Sequence, residues 1–210
     1  MTASDAPTGW HADWYPLVAM IGQDLFTQPD HRGWGTPYGD IIWGPDRIDR
    51  SALRRYLEPL EFECPLHDDP ECARAEGFSG LVLPATALLS FTFQPIWSPG
   101  GPPVFAGAGR NDPPEASDNG SAARFPVVPP IYSGYFGTDF ELDVIRPAVV
   151  GDRIGRHGSR LLSVQPKQTP VGRGAFLIWE QEIVDGDRLA IARVRVQMYV
   201  YEPLAAAEGR

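Results

Sequence analysis

A period of two in hydrophobicity dominates the C-terminal half of the chain. Phe136, Phe140, Leu142 and Val144 alternate with Asp139, Glu141 and Asp143, which predicts a strand with one wet face. A turn at Gly151-Asp152 precedes a second strand over residues 153–164. Gly172 and Gly174 precede a third over 175–184. Asp185-Gly186 is a hairpin signal. The last strand, over 188–201, puts Ala190, Ala192, Val194, Val196, Met198 and Val200 on one face, and Arg193, Arg195, Gln197, Tyr199 and Tyr201 on the other.

The N-terminal half is patterned differently. Within residues 10–26, Trp14, Leu17, Val18, Ile21 and Leu25 recur at helical spacing. Residues 29–47 are rich in Gly, Pro, Asp and Trp and read as a structured loop with one short strand over 40–43. Asp49 or Ser51 caps a helix through Leu53, Tyr56 and Leu57. Residues 68–76 predict a short helix capped by Asp68 or Asp69, with Pro70 in its first turn. Pro84 then opens a run over 85–93 that is apolar nearly all round, the pattern of a helix buried on every side.

Helices, then a wholly apolar helix, then four antiparallel strands make an α+β arrangement. A curved antiparallel sheet wrapped round one buried helix satisfies both patterns, and that architecture is the hot dog. The expected organisation is a flexible N-terminus (1–9) and a single hot-dog domain (10–203). That domain carries an N-terminal helical extension and an inserted loop at about 98–131. A flexible C-terminus (204–210) follows. No internal repeat is visible.

Hydrophobic residues make up 43% of the chain, enough for a real core, and the net charge of −9 without a Lys/Arg run argues against a nucleic-acid binder. Cys64 and Cys72 fit no metal or redox spacing and read as reduced thiols. There is no HxxxH or CxxC metal motif and no phosphate-cradling glycine motif, so no metal and no cofactor is expected. The start of the chain lacks the pattern of a secretion signal, and no run of 18 apolar residues occurs, so a cytoplasmic location is expected.

The run CPLHDDPECA resembles the signature of the MaoC-like acyl dehydratase (hydratase 2) family. In that signature, Asp, any residue, Asn, Pro, an aliphatic residue and His are followed after five residues by a small one. Pro65, Leu66, His67 and Ala73 match it. IRPAVVGDRI, GRGAF and VQMYVYEP are similar to the family's later strands and turns. The resemblance spans residues 34–203 and is nearest to the MaoC dehydratase N-terminal (FAS1-like dehydratase) subgroup. The family's catalytic Asp position is Phe62 in this chain, with Glu61 and Glu63 on either side, and its Asn position is Cys64.

The resemblance implies a hydro-lyase acting on 3-hydroxyacyl or enoyl thioesters of coenzyme A or an acyl carrier protein. Such chemistry needs a base for the C2 proton, an acid for the departing hydroxyl, and N–H donors for the enolate-like oxygen. His67 with a carboxylate, Glu63 first and Glu61 second, is the implied acid–base pair. The N–H groups of Ala85 and Thr86, at the start of the apolar helix, are the expected oxyanion donors. Tyr56, Gly80 and Arg173 are candidate substrate-binding residues. Arg160, Arg193 and Arg195 read as surface ion-pair partners or phosphate ligands. His11, His31 and His157 have no partner at useful spacing.

Two other readings stay open. Phe62 in the acid position fits a non-catalytic hot-dog subunit that pairs with a catalytic MaoC-like partner and shapes its acyl pocket. A thioesterase is the third, since the fold also hosts hydrolysis. Either main reading expects a homodimer or heterodimer with the site near the interface, and neither nucleic acid nor membrane as a partner.

Overall fold

The computed structural model describes residues 9–24, 41–93, 95, 99–100 and 134–203. Four long antiparallel strands follow from the alternating segments: β2 (Gly134–Val144), β3 (Gly155–Thr169), β4 (Gly172–Val184) and β5 (Ala190–Pro203). A short β1 (Ile41–Trp43) joins them, giving the order β1-β3-β4-β5-β2. Asp185 makes the β4–β5 hairpin. Its carboxylate accepts from the Asp187 and Leu189 N–H groups and pairs with Arg146.

Pairing register sorts the side chains onto two faces. Ile183 lies opposite Ala192, Gln181 opposite Val194, Trp179 opposite Val196 and Ala175 opposite Val200. These residues line the inner face and feed two apolar clusters. One joins Ile183, Ile191, Ala192 and Val194 to Leu53, Leu81, Leu83, Ala87 and Leu88. The other joins Ala175, Leu177, Trp179 and Val200 to Trp14, Leu17 and Met20. Each fully buried Leu, Ile or Val adds about 1.5–3 kcal/mol to folding, so two separate segments hold the two ends of one sheet face.

The segment over the first cluster differs from the expected continuous buried helix. It forms two single 3-10 turns, Ala85–Ala87 and Ser90–Thr92. Ala87, Leu88 and Thr92 point inward, while Ala85, Thr86 and Ser90 are exposed. The Thr92 hydroxyl donates to the Leu89 carbonyl at 2.7 Å, a local bond that competes with helix continuation.

The N-terminal helix is also shorter than its spacing predicts. A 3-10 turn, Gly9–Trp14, runs into α1 (Tyr15–Val18). Gly22, at φ 88°, ends the helical stretch, and its N–H donates to the Leu161 carbonyl at 2.7 Å, so the chain turns onto the exposed edge of β3. Ile21 is exposed, whereas Trp14, Leu17 and Met20 are buried.

On β2 the predicted face is split. A register shift between Gly137 and Asp139 leaves Phe140, Leu142 and Val144 on the inner face. It sends Phe136 to the outer one, against Tyr199 and Tyr201. A bulge adds one residue to one strand and so reverses the facing of everything before it. The expected inserted loop at 98–131 and both tails, apart from Gly9, Pro99 and Gly100, lie outside the described residues, as do Leu25, Phe26, His31 and Asp40.

Candidate functional site

The site grows from three short helices between β1 and the inner-face segment. Asp49 caps α2 (Arg50–Leu57), accepting from the Ser51 and Ala52 N–H groups at 2.7 and 3.0 Å. The CPLHDDPECA run forms α3 (Pro65–Asp68) and α4 (Pro70–Ala75), two helices rather than the single one expected. Asp69 breaks the first and caps the second, accepting from the Glu71 and Cys72 N–H groups. Proline at the first position of each helix needs no N–H partner there. Ala73 is fully buried, so the matched small residue is a packing requirement. Cys64 and Cys72 are free thiols.

Backbone bonds tie α3 to the inner-face segment. The Val82 N–H donates to the Leu66 carbonyl at 2.8 Å, and Val82 and its neighbours bridge to Ala148–Val150. His67 is thereby held with 8% of its surface exposed. Its Nδ1 lies 2.7 Å from the Val82 carbonyl oxygen. A carbonyl only accepts, so Nδ1 carries the proton, and in the neutral ring Nε2 keeps a free lone pair. Phe62 stacks on the imidazole at 5.4 Å between centroids and 29° between planes. Among the described residues, no carboxylate comes within ion-pair distance of His67.

His67 lines an open cleft of about 290 Å³ with Arg50, Leu57, Glu61, Phe62 and Glu63. The structure therefore gathers His67, Glu61 and Glu63 around one cavity, although neither glutamate touches the ring. Arg54 and Asp68 reach the same cleft. Arg54 is paired with Glu58, and Arg50 donates to the Asp68 carbonyl at 3.3 Å.

The other candidates divide. Tyr56, on another side of α2, donates to the Thr86 Oγ1 at 3.0 Å, so two candidates meet, although neither lines the cleft. The N–H groups of Ala85 and Thr86 make no hydrogen bond among the described residues. Gly80 serves close packing: a Cβ there would lie 3.1 Å from the Val150 carbonyl oxygen. Arg173 is exposed and bonds to Gln168 at 3.1 Å. It lies ten residues along β4 from Ile183, about 33 Å of strand, at the opposite end of the sheet from the His67 cleft. Arg160, Arg193 and Arg195 sit in an outer-face ladder with Glu141, Glu180 and Glu182. His157 has a carboxylate neighbour after all, Glu182 across the strand at 3.7 Å.

Two contributors to the site carry no signal in the sequence. Val82 acts through a backbone carbonyl, which every residue owns. Phe62 acts through a stack that only the fold brings about. No group of three or more His, Cys, Asp or Glu suited to a metal occurs among the described residues. None of their helices is long and apolar enough to cross a membrane.

No protein-family profile matches the chain. It is 24% identical, over 186 residues, to a protein from Thermomonospora curvata named probable enoyl-CoA hydratase alpha subunit, covering 88% of this chain. The match takes in 54% of that protein, so the chain spans about half the length of this curated relative. Among solved structures it resembles a chain of the ChsH1–ChsH2 complex from Mycobacterium tuberculosis, with a TM-score of 0.56 and 20% identity over 80% of this chain and 86% of the other. It also resembles a MaoC-like dehydratase from Rhodospirillum rubrum, with a TM-score of 0.50 and 18% identity over 80% and 94% of the two chains. With its curved antiparallel sheet and inner-face helical turns, the chain has the hot-dog fold of the MaoC-like dehydratases.

Proposed function

We propose that this chain is a hydro-lyase subunit that adds water to, or removes it from, acyl thioesters of coenzyme A or an acyl carrier protein. The observation that carries the reading is His67, a buried histidine whose Nδ1 is committed to a carbonyl and whose Nε2 is left for the cleft. In the dehydration direction, Nε2 takes the C2 proton of a 3-hydroxyacyl thioester. The C3–O bond then breaks, and the hydroxyl leaves as water with a proton from a carboxylic acid. Hydration runs the same path backwards: the carboxylate takes a proton from the attacking water, and the imidazolium returns one to C2. Of the carboxylates on the cleft wall, Glu58, Glu61, Glu63 and Asp68, Glu63 and then Glu61 are the ones assigned to this step. The Ala85 and Thr86 N–H groups are the oxyanion donors at hand.

The test is hydration of a panel of enoyl-CoA thioesters by the purified chain, followed through loss of the conjugated thioester absorbance. Turnover that falls in Glu63→Gln but not in Glu61→Gln assigns the acid. No turnover with short, long and ring-bearing acyl groups contradicts a self-sufficient enzyme.

A second reading rests on the lack, among the described residues, of any carboxylate at ion-pair distance from His67. Here the chain pairs with another hot-dog subunit, a second copy or a different chain, which supplies the missing proton carrier. The Thermomonospora curvata relative is named as one subunit, and this chain spans about half of it. This reading expects activity only after mixing with the partner.

A further inference from the structure

We infer that Phe62 is a positioning residue for the His67 imidazole. It occupies the place where the resembling family carries an acid, and it does different work there. The Val82 carbonyl holds Nδ1 along one line in the ring plane. That bond fixes one edge of the ring and does not by itself set the tilt of the ring plane. The Phe62 ring lies against the imidazole face, 5.4 Å away and tilted 29°, which sets that tilt. The Nε2 lone pair points out of the ring edge, in the ring plane. A ring stacked there restrains the imidazole plane and makes no demand on that in-plane lone pair.

The chain holds Phe62 there from both sides. Before it, Glu61 sits at φ 49° and ψ 40°, the left-handed region, directly after the 3-10 turn Glu58–Leu60. A residue with a side chain rarely adopts that conformation, and here it turns the chain so that Phe62 meets His67. After it, Cys64 is extended at φ −150° and ψ 117°, as the residue before Pro65 must be. Phe62 is 52% exposed, so its ring contributes little to the core. Burial alone does not account for its stack on an otherwise enclosed histidine.

The test compares Phe62→Ala, Phe62→Leu and Phe62→Tyr in the full chain. The half-exposed position lets all three fold. The first readout is the ¹⁵N spectrum of the His67 ring, which does not depend on the proposed activity. The Nδ1–H tautomer is expected in every variant, because the Val82 carbonyl sets it. The His67 ring signals are expected to be sharp in the parent chain and in Phe62→Tyr, and exchange-broadened in Phe62→Ala and Phe62→Leu. The second readout is kinetic and rests on the proposed function. Loss of ring placement lowers kcat by about tenfold with KM within about twofold, and Phe62→Tyr restores it. Leucine keeps the apolar cover without the ring face. A Phe62→Leu chain with the parent ¹⁵N spectrum overturns the inference, whatever its kcat. Should the parent chain turn nothing over, the self-sufficient reading fails while the spectra still decide the role of Phe62.

Discussion

The chain presents two histidines in opposite settings. His67 is buried at the end of a cleft, bonded to a carbonyl and out of reach of any described carboxylate. His157 is on the outer sheet face, 3.7 Å from Glu182 and beside Arg193, with two-fifths of its side chain exposed. Proximity of His to Glu would nominate the second as an acid–base pair. Its surroundings argue otherwise, because ion pairs of exposed groups are screened by water and couple weakly. Of the two, His67 is the one that is buried, with Nδ1 fixed by a carbonyl, at the wall of a cleft.

The contrast can be broken most sharply by removing each histidine. His67→Ala is expected to lower hydration by about 10²–10⁴-fold. His157→Ala is expected to leave the rate within about twofold, as befits a group outside the cleft. Equal losses in steady-state assays of the two variants would erase the distinction. Next in size is the packing beneath the cleft. Ala73 is the fully buried residue of α4, so Ala73→Leu overpacks its site and costs about 1–3 kcal/mol in urea unfolding. Asp69→Ala removes the cap of the same helix and costs about 1 kcal/mol, with the midpoint of thermal unfolding as the readout.

The outer face and the hairpin beside it respond to pH instead. Burial works against ionisation of Asp185, but the Leu189 and Asp187 N–H groups and the Arg146 guanidinium outweigh it. They hold its carboxyl below the usual aspartate range. Glu180 is lowered likewise: partial burial opposes its charge, and Arg195 and Arg160 overcome that. A carboxylate with a depressed folded pKa stabilises the protein fully above its unfolded value, near 3.8 for Asp185. That contribution is lost as pH falls through the lower folded value. Urea unfolding is therefore expected to weaken as pH drops through and below about 4, and less steeply in Asp185→Asn. The smallest effect belongs to the exposed pair itself. A double-mutant cycle of His157→Ala and Glu182→Gln is expected to give less than about 1 kcal/mol of coupling.

Local signals were the legible ones. Asp49 and Asp69 cap helices as their spacing predicts, Asp185-Gly186 turns the hairpin, and alternation marks the four long strands. The Pro65-Leu66-His67 spacing placed the buried histidine. What stayed hidden depends on register or on groups without identity in a sequence. The His157–Glu182 contact spans 25 residues and exists only once β3 and β4 are aligned. Phe136 changes face because of one bulge that no residue type announces. The Val82 carbonyl cannot be told from any other. Thr86 and Tyr56 meet across 30 residues, and a helix that ends after one turn at Thr92 looks identical, in apolar pattern, to one that continues.

At the His67 cleft, water is expected to add across the double bond of an acyl thioester. We would incubate an enoyl-CoA thioester in D₂O with the chain alone and with a candidate hot-dog partner, and analyse the product by mass and NMR. The predicted product is a 3-hydroxyacyl thioester carrying one deuterium at C2, formed with His67 intact and lost in His67→Ala. Release of free coenzyme A thiol with the acyl double bond unchanged, or hydration at the same rate in His67→Ala, would contradict it.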